Sequence, residues 1–202
     1  MRRWIIASCC ALLAGCATTR PALDQKHWVA FATEYPGGVV RWRAPDLGGR
    51  NIFRQYINRV DDEPGNAAMT TRMWWQGYDV NSWGFTAFTL MLDLNKYPKR
   101  FDVPPTMKML REELLSRWPI PKSDYTLDQV SIGSREWVHF TFNDEIGLRR
   151  EIFRTVVDRK RYMSVIVEYD KEALKNSRWL QSRQAVVSNV LATITIEQRE
   201  QP

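Results

Sequence analysis

The residues best suited to catalysis in this sequence are one histidine and two nearby serines. An imidazole that accepts the proton of a serine hydroxyl makes a nucleophile of it, and such triads are recognised by geometry rather than by residue order. His139 could be the base, with Ser131 or Ser134 as the nucleophile and an acid to orient the ring. The alternative is that His139 is an ordinary polar residue on the solvent side of its strand.

Other motifs that carry chemistry are absent or lie in turn-like surroundings. His27 and His139 are far apart and outside any His-Glu-x-x-His pattern, whereas a zinc site takes about three protein ligands or more. Asp61-Asp62-Glu63 could act as acid and base or bind calcium, but the adjoining Pro64-Gly65 favours a solvated turn. No Gly-x-Ser-x-Gly, Gly-x-Gly-x-x-Gly or phosphate-loop pattern occurs. We therefore predict no catalytic residue, metal site or cofactor.

The N-terminus has the pattern of a secretory signal. Arg2 and Arg3 precede an apolar stretch over residues 4–14, which is too short for a bilayer-spanning helix of about 20 residues. At its end, Leu13-Ala14-Gly15-Cys16 resembles the lipobox of bacterial lipoproteins at every position. The resemblance implies that the peptide before Cys16 is removed and that Cys16 carries the lipid. An ordinary signal peptide that happens to contain a cysteine is the alternative.

The residue after the lipidated cysteine bears on the destination of the protein. In Gram-negative bacteria an aspartate there favours retention in the inner membrane, and this sequence has Ala17. The resemblance therefore implies an outer-membrane lipoprotein that faces the periplasm and is held to the membrane through the lipid on Cys16. Two or three acyl chains hold a protein far more firmly than one chain does. Nucleic acid is not expected as a partner of an exported, tethered protein.

The rest of the chain divides into a tether and one domain. Residues 1–15 are the predicted signal peptide, residues 16–25 a lipidated tether and residues 26–202 a single globular domain, because this length favours one core. Cys9 and Cys10 leave with the signal, so we expect no internal disulfide. Removal of the two N-terminal arginines lowers the net charge from +6 to +4.

Alternation of apolar and polar residues with period two predicts most of the strands. The predicted strands are 39–44, 69–75, 135–143 and 161–169, together with a central strand at 83–92 that is apolar on both faces. Residues 148–157 fit a strand or a helix, and residues 158–161 are a hairpin connection to the strand that follows.

Helical spacing of apolar residues predicts the remaining elements. One helix covers residues 107–118, and a second begins at Asn176 or Ser177, either of which is a good N-cap. That second helix leads into a last strand at 193–196. The spacing over residues 52–60 fits a short helix.

This order of elements predicts an α+β domain, in which a mainly antiparallel sheet carries two amphipathic helices packed on one face. The order over residues 39–196, with a late helix that runs into an isoleucine-rich strand, is similar to that of the small Mog1/PsbP-like domains. The resemblance implies a compact domain of a kind that some bacterial lipoproteins carry.

Two groups of residues suggest a binding surface. If strands 135–143 and 161–169 are neighbours, Trp137, His139 and Tyr162 could share an exposed face, and aromatic residues are favoured anchors at interfaces. The alternative is that the second helix covers this face, so that the aromatic residues form a second core layer. The segment 146–183 is also basic, and it includes Arg149, Arg150 and Arg154. A basic patch attracts anions, whereas the alternative is a solvated charged surface.

The sequence thus predicts a membrane-anchored envelope lipoprotein that is not an enzyme. It would bind or assist an envelope protein, or an anionic lipid or polysaccharide of the envelope. One alternative is a lipid-tethered hydrolase of envelope material that uses His139, and another is an immunity or assembly factor that occupies the surface of a partner.

Overall fold

The computed structural model describes residues 24–26, 28–35, 37–45, 52–58, 70–78, 86–96, 105–159, 161–169 and 173–199. The strands in these residues are β1 Trp28–Tyr35, β2 Gly38–Pro45, β3 Ile52–Asn58, β4 Thr70–Tyr78, β5 Thr86–Lys96, β6 Tyr125–Ile132, β7 Arg135–Asn143, β8 Arg149–Val156, β9 Arg161–Tyr169 and β10 Thr195–Gln198. The helices are α1 Met107–Arg117 and α2 Ser177–Ala192. The lipobox, His27 and the acidic run Asp61-Asp62-Glu63 lie outside the described residues.

A seven-stranded antiparallel sheet, in the order β3-β4-β5-β9-β8-β7-β6, positions the candidate site. Strands that follow one another in sequence pair as neighbours within β3–β5 and within β6–β9. The pairing of β5 with β9 joins these two groups, with Leu92 opposite Val165. This arrangement confirms the predicted α+β class with a mainly antiparallel sheet. Residues 86–92 of the predicted central strand 83–92 lie in β5, which has neighbours on both sides, and residues 83–85 lie outside the described residues.

A second, three-stranded sheet has the order β1-β2-β10 and is also antiparallel. Tyr35 at the end of β1 lies opposite Gly38 at the start of β2, and the Gly37 backbone N–H donates a hydrogen bond to the Tyr35 carbonyl at 2.7 Å. Gly38 has a φ of +152°, and a Cβ atom there would run into the carbonyl of Glu197 in β10. Glycine at this position therefore permits the close approach of β10 to β2.

Helix α1 begins where its sequence provides a cap. The Thr106 side chain accepts a hydrogen bond from the Met109 backbone N–H at 3.2 Å, which satisfies one of the free donors of the first turn. Arg117 lies in the last turn, where its charge favours the helix dipole, and Pro119 cannot continue the helix. These bounds confirm the predicted helix at 107–118.

The two helices lie on opposite faces of the large sheet, so the prediction that both pack on one face is wrong. Leu110 and Leu114 of α1 pack with Val138, Phe140 and other residues of one face. Val186, Val187, Val190 and Leu191 of α2 pack with Trp137, Phe153, Val165 and Val167 of the other face. The reason is that β7, β8 and β9 bury side chains on both faces, and each face needs its own cover.

Other elements also differ from the sequence predictions. Residues 52–58 of the segment predicted as a short helix at 52–60 form the edge strand β3, which pairs with β4. The ambiguous segment 148–157 is strand β8, and the last strand begins two residues later than predicted, at Thr195. Strands β1 and β6 were not predicted. Sheet pairing overrides short periodicities such as that of 52–60, because a partner strand satisfies the backbone hydrogen bonds.

No helix in the described part of the chain is long and apolar enough to cross a membrane.

Candidate functional site

Strands β7 and β8 bring a group of polar side chains together on the face of the sheet that α2 covers. The register places Thr141 opposite Glu151 and His139 opposite Phe153, so their side chains share one face. Gln184 of α2 donates a hydrogen bond from Nε2 to Glu151 Oε1 at 3.0 Å. Arg149 Nη2 lies 3.4 Å from the same oxygen. We call His139, Thr141, Arg149, Glu151 and Gln184 the Glu151 cluster.

The carboxylate at the centre of this cluster is almost fully buried, with Glu151 only 1% exposed. Burial by itself would raise the pKa of Glu151, but His139, the Gln184 amide and Arg149 outweigh it and hold the pKa below the ordinary value. His139 Nε2 and Glu151 Oε2 are 3.6 Å apart, which is longer than a good hydrogen bond, so we treat this contact as electrostatic. A buried carboxylate needs such compensation, because an unpaired buried charge is costly.

The His139 ring is fixed in place by its neighbours. It stacks on Phe153 with ring centroids 4.3 Å apart and an angle of 5° between the planes. Its Nε2 atom lies 3.1 Å from the Thr141 hydroxyl and also faces Glu151. In a triad the base contacts the nucleophile through one nitrogen and the acid through the other. The described contacts put both groups at one nitrogen, so this arrangement is not that of a triad.

The two serines considered as nucleophiles are not near His139. The Ser131 hydroxyl donates a hydrogen bond to Glu136 and so lowers the pKa of that carboxyl. Ser131 and Glu136 lie opposite each other in β6 and β7, on the other face of the sheet from His139. Ser134 is in the β6–β7 turn, five positions along the chain from His139, which is about 16 Å in an extended strand. The Ser–His–acid site considered from the sequence is therefore not formed.

An open cleft of about 550 Å³ adjoins the Glu151 cluster. It lies at the end of the sheet where β6 begins, β7 ends and β8 begins, and it is of the size that small ligands occupy. We call it the β6–β8 cleft. Its lining residues are Ser123, Asp124, Tyr125, Thr126, Thr141, Phe142, Asn143 and Arg149. Thr141 and Arg149 belong to both the cleft and the cluster, so the buried Glu151 carboxylate lies directly behind one wall.

The cleft is far from the point at which the chain enters the domain. Arg43 donates a hydrogen bond to the Gln25 carbonyl at 3.0 Å, and its own backbone contacts Thr193 just after α2. A Cβ atom at Gly133, in the β6–β7 turn, would lie 3.0 Å from Ala192 Cα, so this turn is at the same end. Strand β7 runs from that turn to the cleft over about 26 Å. The cleft therefore opens at the opposite end of β7 from Gln25.

The aromatic residues predicted to share an exposed surface are buried on opposite faces. Trp137 is 0% exposed and packs in the core under α2, whereas Tyr162 is 5% exposed and packs in the core under α1. The register explains this, because Val138 pairs with Arg154, Arg154 with Ser164, and Val156 with Tyr162. Tyr162 therefore shares a face with Val138 and not with Trp137. For Trp137 the alternative is correct: the second helix covers this face, and the residue belongs to a second core layer.

The three arginines predicted as a basic patch are paired with acids and divided between the faces. Arg149 lies beside Glu151 on the α2 side, whereas Arg150 contacts Glu168 at 3.0 Å and Asp144 at 3.2 Å on the other side. The side chain of Arg154 is 3% exposed and forms an ion pair with Glu113 of α1. These residues do not form a continuous cationic surface, because adjacent residues of a strand point to opposite faces.

Sequence reasoning did not identify Glu151, Gln184 or residues 123–126 as part of a site. A charged residue such as Glu151 between Arg150 and Ile152 gives no signal of burial until the strand is known to lie inside the sheet. Gln184 is on a helix that is distant in sequence. Among the residues that the structure describes, no group of three or more His, Cys, Asp or Glu side chains could hold a metal ion.

No family model matches this chain, and no curated protein matches it either.

Proposed function

We propose that this chain is a lipid-anchored envelope protein that binds a partner or an anionic envelope component and does not catalyse a reaction at His139. The lipobox at Leu13-Ala14-Gly15-Cys16 supports the anchor, and Ala17 supports an outer-membrane location facing the periplasm. The observation that carries the binding function is the β6–β8 cleft, an open site lined mainly by hydroxyl, amide and charged groups. Sites with a few convergent polar groups are typical of ligand recognition.

The position of the cleft fits a tethered binding protein. Because it lies at the opposite end of β7 from the residues that lead to the tether, a partner can reach it without competing with the membrane. The net positive charge of the domain fits a partner with anionic groups, although Arg149, Arg150 and Arg154 each contact an acid of the chain itself. Arg149, with its side chain 34% exposed at the cleft, is the cation of that trio that a ligand can contact.

A hydrolase that uses His139 is a weaker candidate. His139 is close to the cleft through Thr141, which gives the hypothesis a structural basis. The described contacts place the Thr141 hydroxyl and the Glu151 carboxylate at the same nitrogen, Nε2, whereas in a triad the acid orients the ring through the other nitrogen. We therefore favour binding over hydrolysis.

The anchor is tested by Cys16→Ala, with Cys10→Ala as the matched control inside the signal but outside the lipobox. We expect the Cys16 variant to lose the lipid and to remain as an uncleaved or soluble precursor, while the Cys10 variant is processed normally. Membrane fractionation with detection of the acyl chains measures both results. Normal lipidation and membrane retention of the Cys16 variant would contradict the proposal.

The binding function is tested by mild crosslinking from membranes, followed by identification of the crosslinked species. The cleft variant Thr126→Ala/Asn143→Ala changes two exposed side chains of the site, and Arg178→Ala/Gln181→Ala changes two exposed positions of α2 as a control. We expect a specific crosslinked species that disappears in the cleft variant and persists in the control. The same species in both variants would show that the cleft is not the binding site.

A further inference from the structure

We infer that the β6–β8 cleft binds a sugar that carries a carboxylate group, with Arg149 contacting the carboxylate and the polar groups of the rim contacting the hydroxyls. The inference rests on the proposed binding function and names its ligand class. Three features of the described residues lead to it: an arginine with spare donors, a rim of neutral hydrogen-bonding groups, and one acidic residue that limits the negative charge of the ligand.

Arg149 is able to contact an anion without leaving Glu151 uncompensated. Its Nη2 atom is 3.4 Å from Glu151 Oε1, and that same oxygen also accepts the Gln184 amide at 3.0 Å. His139 faces the other carboxylate oxygen at 3.6 Å. A guanidinium has five N–H donors in a planar fork that matches a carboxylate. The contact with Glu151 restrains the guanidinium, and the Arg149 side chain, about one third exposed, lines the cleft.

The other lining groups suit hydroxyls better than apolar groups. Thr126 contributes a hydroxyl and Asn143 an amide, and both side chains are exposed at the rim. Tyr125 also lines the cleft, and its ring packs on Phe140 with centroids 5.2 Å apart, which holds the ring in place. Hydroxyls and amides both donate and accept hydrogen bonds, as the hydroxyls of a sugar do.

Asp124 restricts the charge of the ligand. Its carboxylate accepts a hydrogen bond from the Ser123 hydroxyl at 2.8 Å and lies in the same cleft as Arg149. The two charges cancel, so the cleft does not attract a polyanion as a uniformly basic groove does. A carboxylate accepts hydrogen bonds from sugar hydroxyls and repels any anionic group, so the acidic group of the ligand lies at Arg149 and its hydroxyls lie at Asp124. A ligand with one carboxylate and several hydroxyls satisfies both residues.

The test uses two pairs of sugars that differ in the acidic group: N-acetylmuramic acid with N-acetylglucosamine, and glucuronic acid with glucose. The full lipidated chain, purified in detergent, is titrated with each sugar by calorimetry. We expect at least one acidic sugar to bind about tenfold more tightly than its neutral partner, because one charge-assisted contact has about this effect. Arg149→Gln is expected to remove the preference, whereas Arg159→Gln, an exposed arginine of the β8–β9 turn, is expected to keep it.

A second variant keeps the test decisive if Arg149→Gln fails to fold. Asn143→Ala changes an exposed rim residue and is expected to weaken the binding of both members of a pair by several-fold, with an unchanged unfolding temperature. Equal affinity for acidic and neutral sugars, no binding of either acidic sugar, or a preference that survives Arg149→Gln would overturn the inference. Such a result leaves the crosslinked partner and the anchoring of the protein unaffected, so it is distinguishable from failure of the proposed function.

Discussion

Arg154 of strand β8 and Glu113 of helix α1 form an ion pair that joins the sheet to the helix from inside the core. The Arg154 side chain is almost fully buried, and its Nε donates a hydrogen bond to the Ser164 hydroxyl at 3.0 Å. Its guanidinium carbon also lies 4.9 Å from the centre of the Tyr162 ring. An arginine that the sequence suggested as a surface cation is thus part of the packing between two elements.

Loss of one partner of this pair is expected to destabilise the domain strongly. Arg154→Met should lower the free energy of unfolding by about 3–5 kcal/mol, because the Glu113 carboxylate is left partly buried without its cation. Chemical denaturation measures the change. Arg159→Met, at an exposed position, is the control and should have little effect.

The double variant Arg154→Met/Glu113→Gln separates the charge effect from packing. We expect it to recover part of the lost free energy, since no uncompensated charge remains. If the loss of unfolding free energy in the double variant equals the sum of the losses in Arg154→Met and Glu113→Gln alone, the ion pair does not couple these residues.

Glu151 should make the stability of the fold depend on pH in the acidic range. Its pKa in the folded protein is lowered from the ordinary value of 4.5, so its carboxylate stabilises the fold above that value, and this contribution disappears as the pH falls through the lower folded value. We expect Glu151→Gln to be clearly less stable than the wild type at pH 7. The difference should narrow as the pH falls below 4.5 and through the lowered folded pKa, where the wild-type carboxyl also becomes neutral.

Denaturation of both proteins at several pH values measures this difference. Glu145→Gln, in the exposed β7–β8 turn, is the matched control for removal of one negative charge. A difference between wild type and Glu151→Gln that stays constant from pH 7 to pH 3 would contradict the assignment of the buried carboxylate as ionised.

Trp137 is expected to affect folding rather than partner recognition. Trp137→Ala removes a side chain that is fully buried beneath α2 and should cost about 3–5 kcal/mol of unfolding free energy. Leu115→Ala, at an exposed position of α1, serves as the comparison and should cost far less. A stably folded Trp137→Ala protein that loses only a binding partner would show that this residue is at a surface.

Gly38 is expected to be required for the attachment of β10. Gly38→Ala forces an L side chain into a positive φ and places its Cβ atom against the Glu197 carbonyl, so we expect a loss of at least about 1–2 kcal/mol. In the Gly38→Ala protein, the backbone amides of β10 should exchange their hydrogens faster than those of β7. Ser134→Ala, in an exposed turn, should leave both strands unchanged.

The local elements were largely predictable where their patterns were long. The helix at 107–118 and the strands at 135–143 and 161–169 agree with the structure to within a residue, because a long periodic pattern of apolar residues defines one buried side of an element. The short pattern at 52–60 was assigned to a helix and forms an edge strand instead. Five apolar positions at helical spacing are too few to fix the element, and the pairing with β4 makes it a strand.

The sequence by itself determined the α+β class, the antiparallel character of the sheet, and the prediction of lipidation at Cys16, because periodicity and a short motif are local properties. Only the tertiary structure decided which faces these elements share. The order of β9, β8 and β7 places Trp137 under one helix and Tyr162 under the other, and it brings Arg149, Glu151 and Gln184 together across 33 residues or more of chain. A shift of one residue in strand register moves a side chain to the other face. Periodicity along one strand carries no information about the register of the next strand. The residues of the site could therefore be identified only from the tertiary structure.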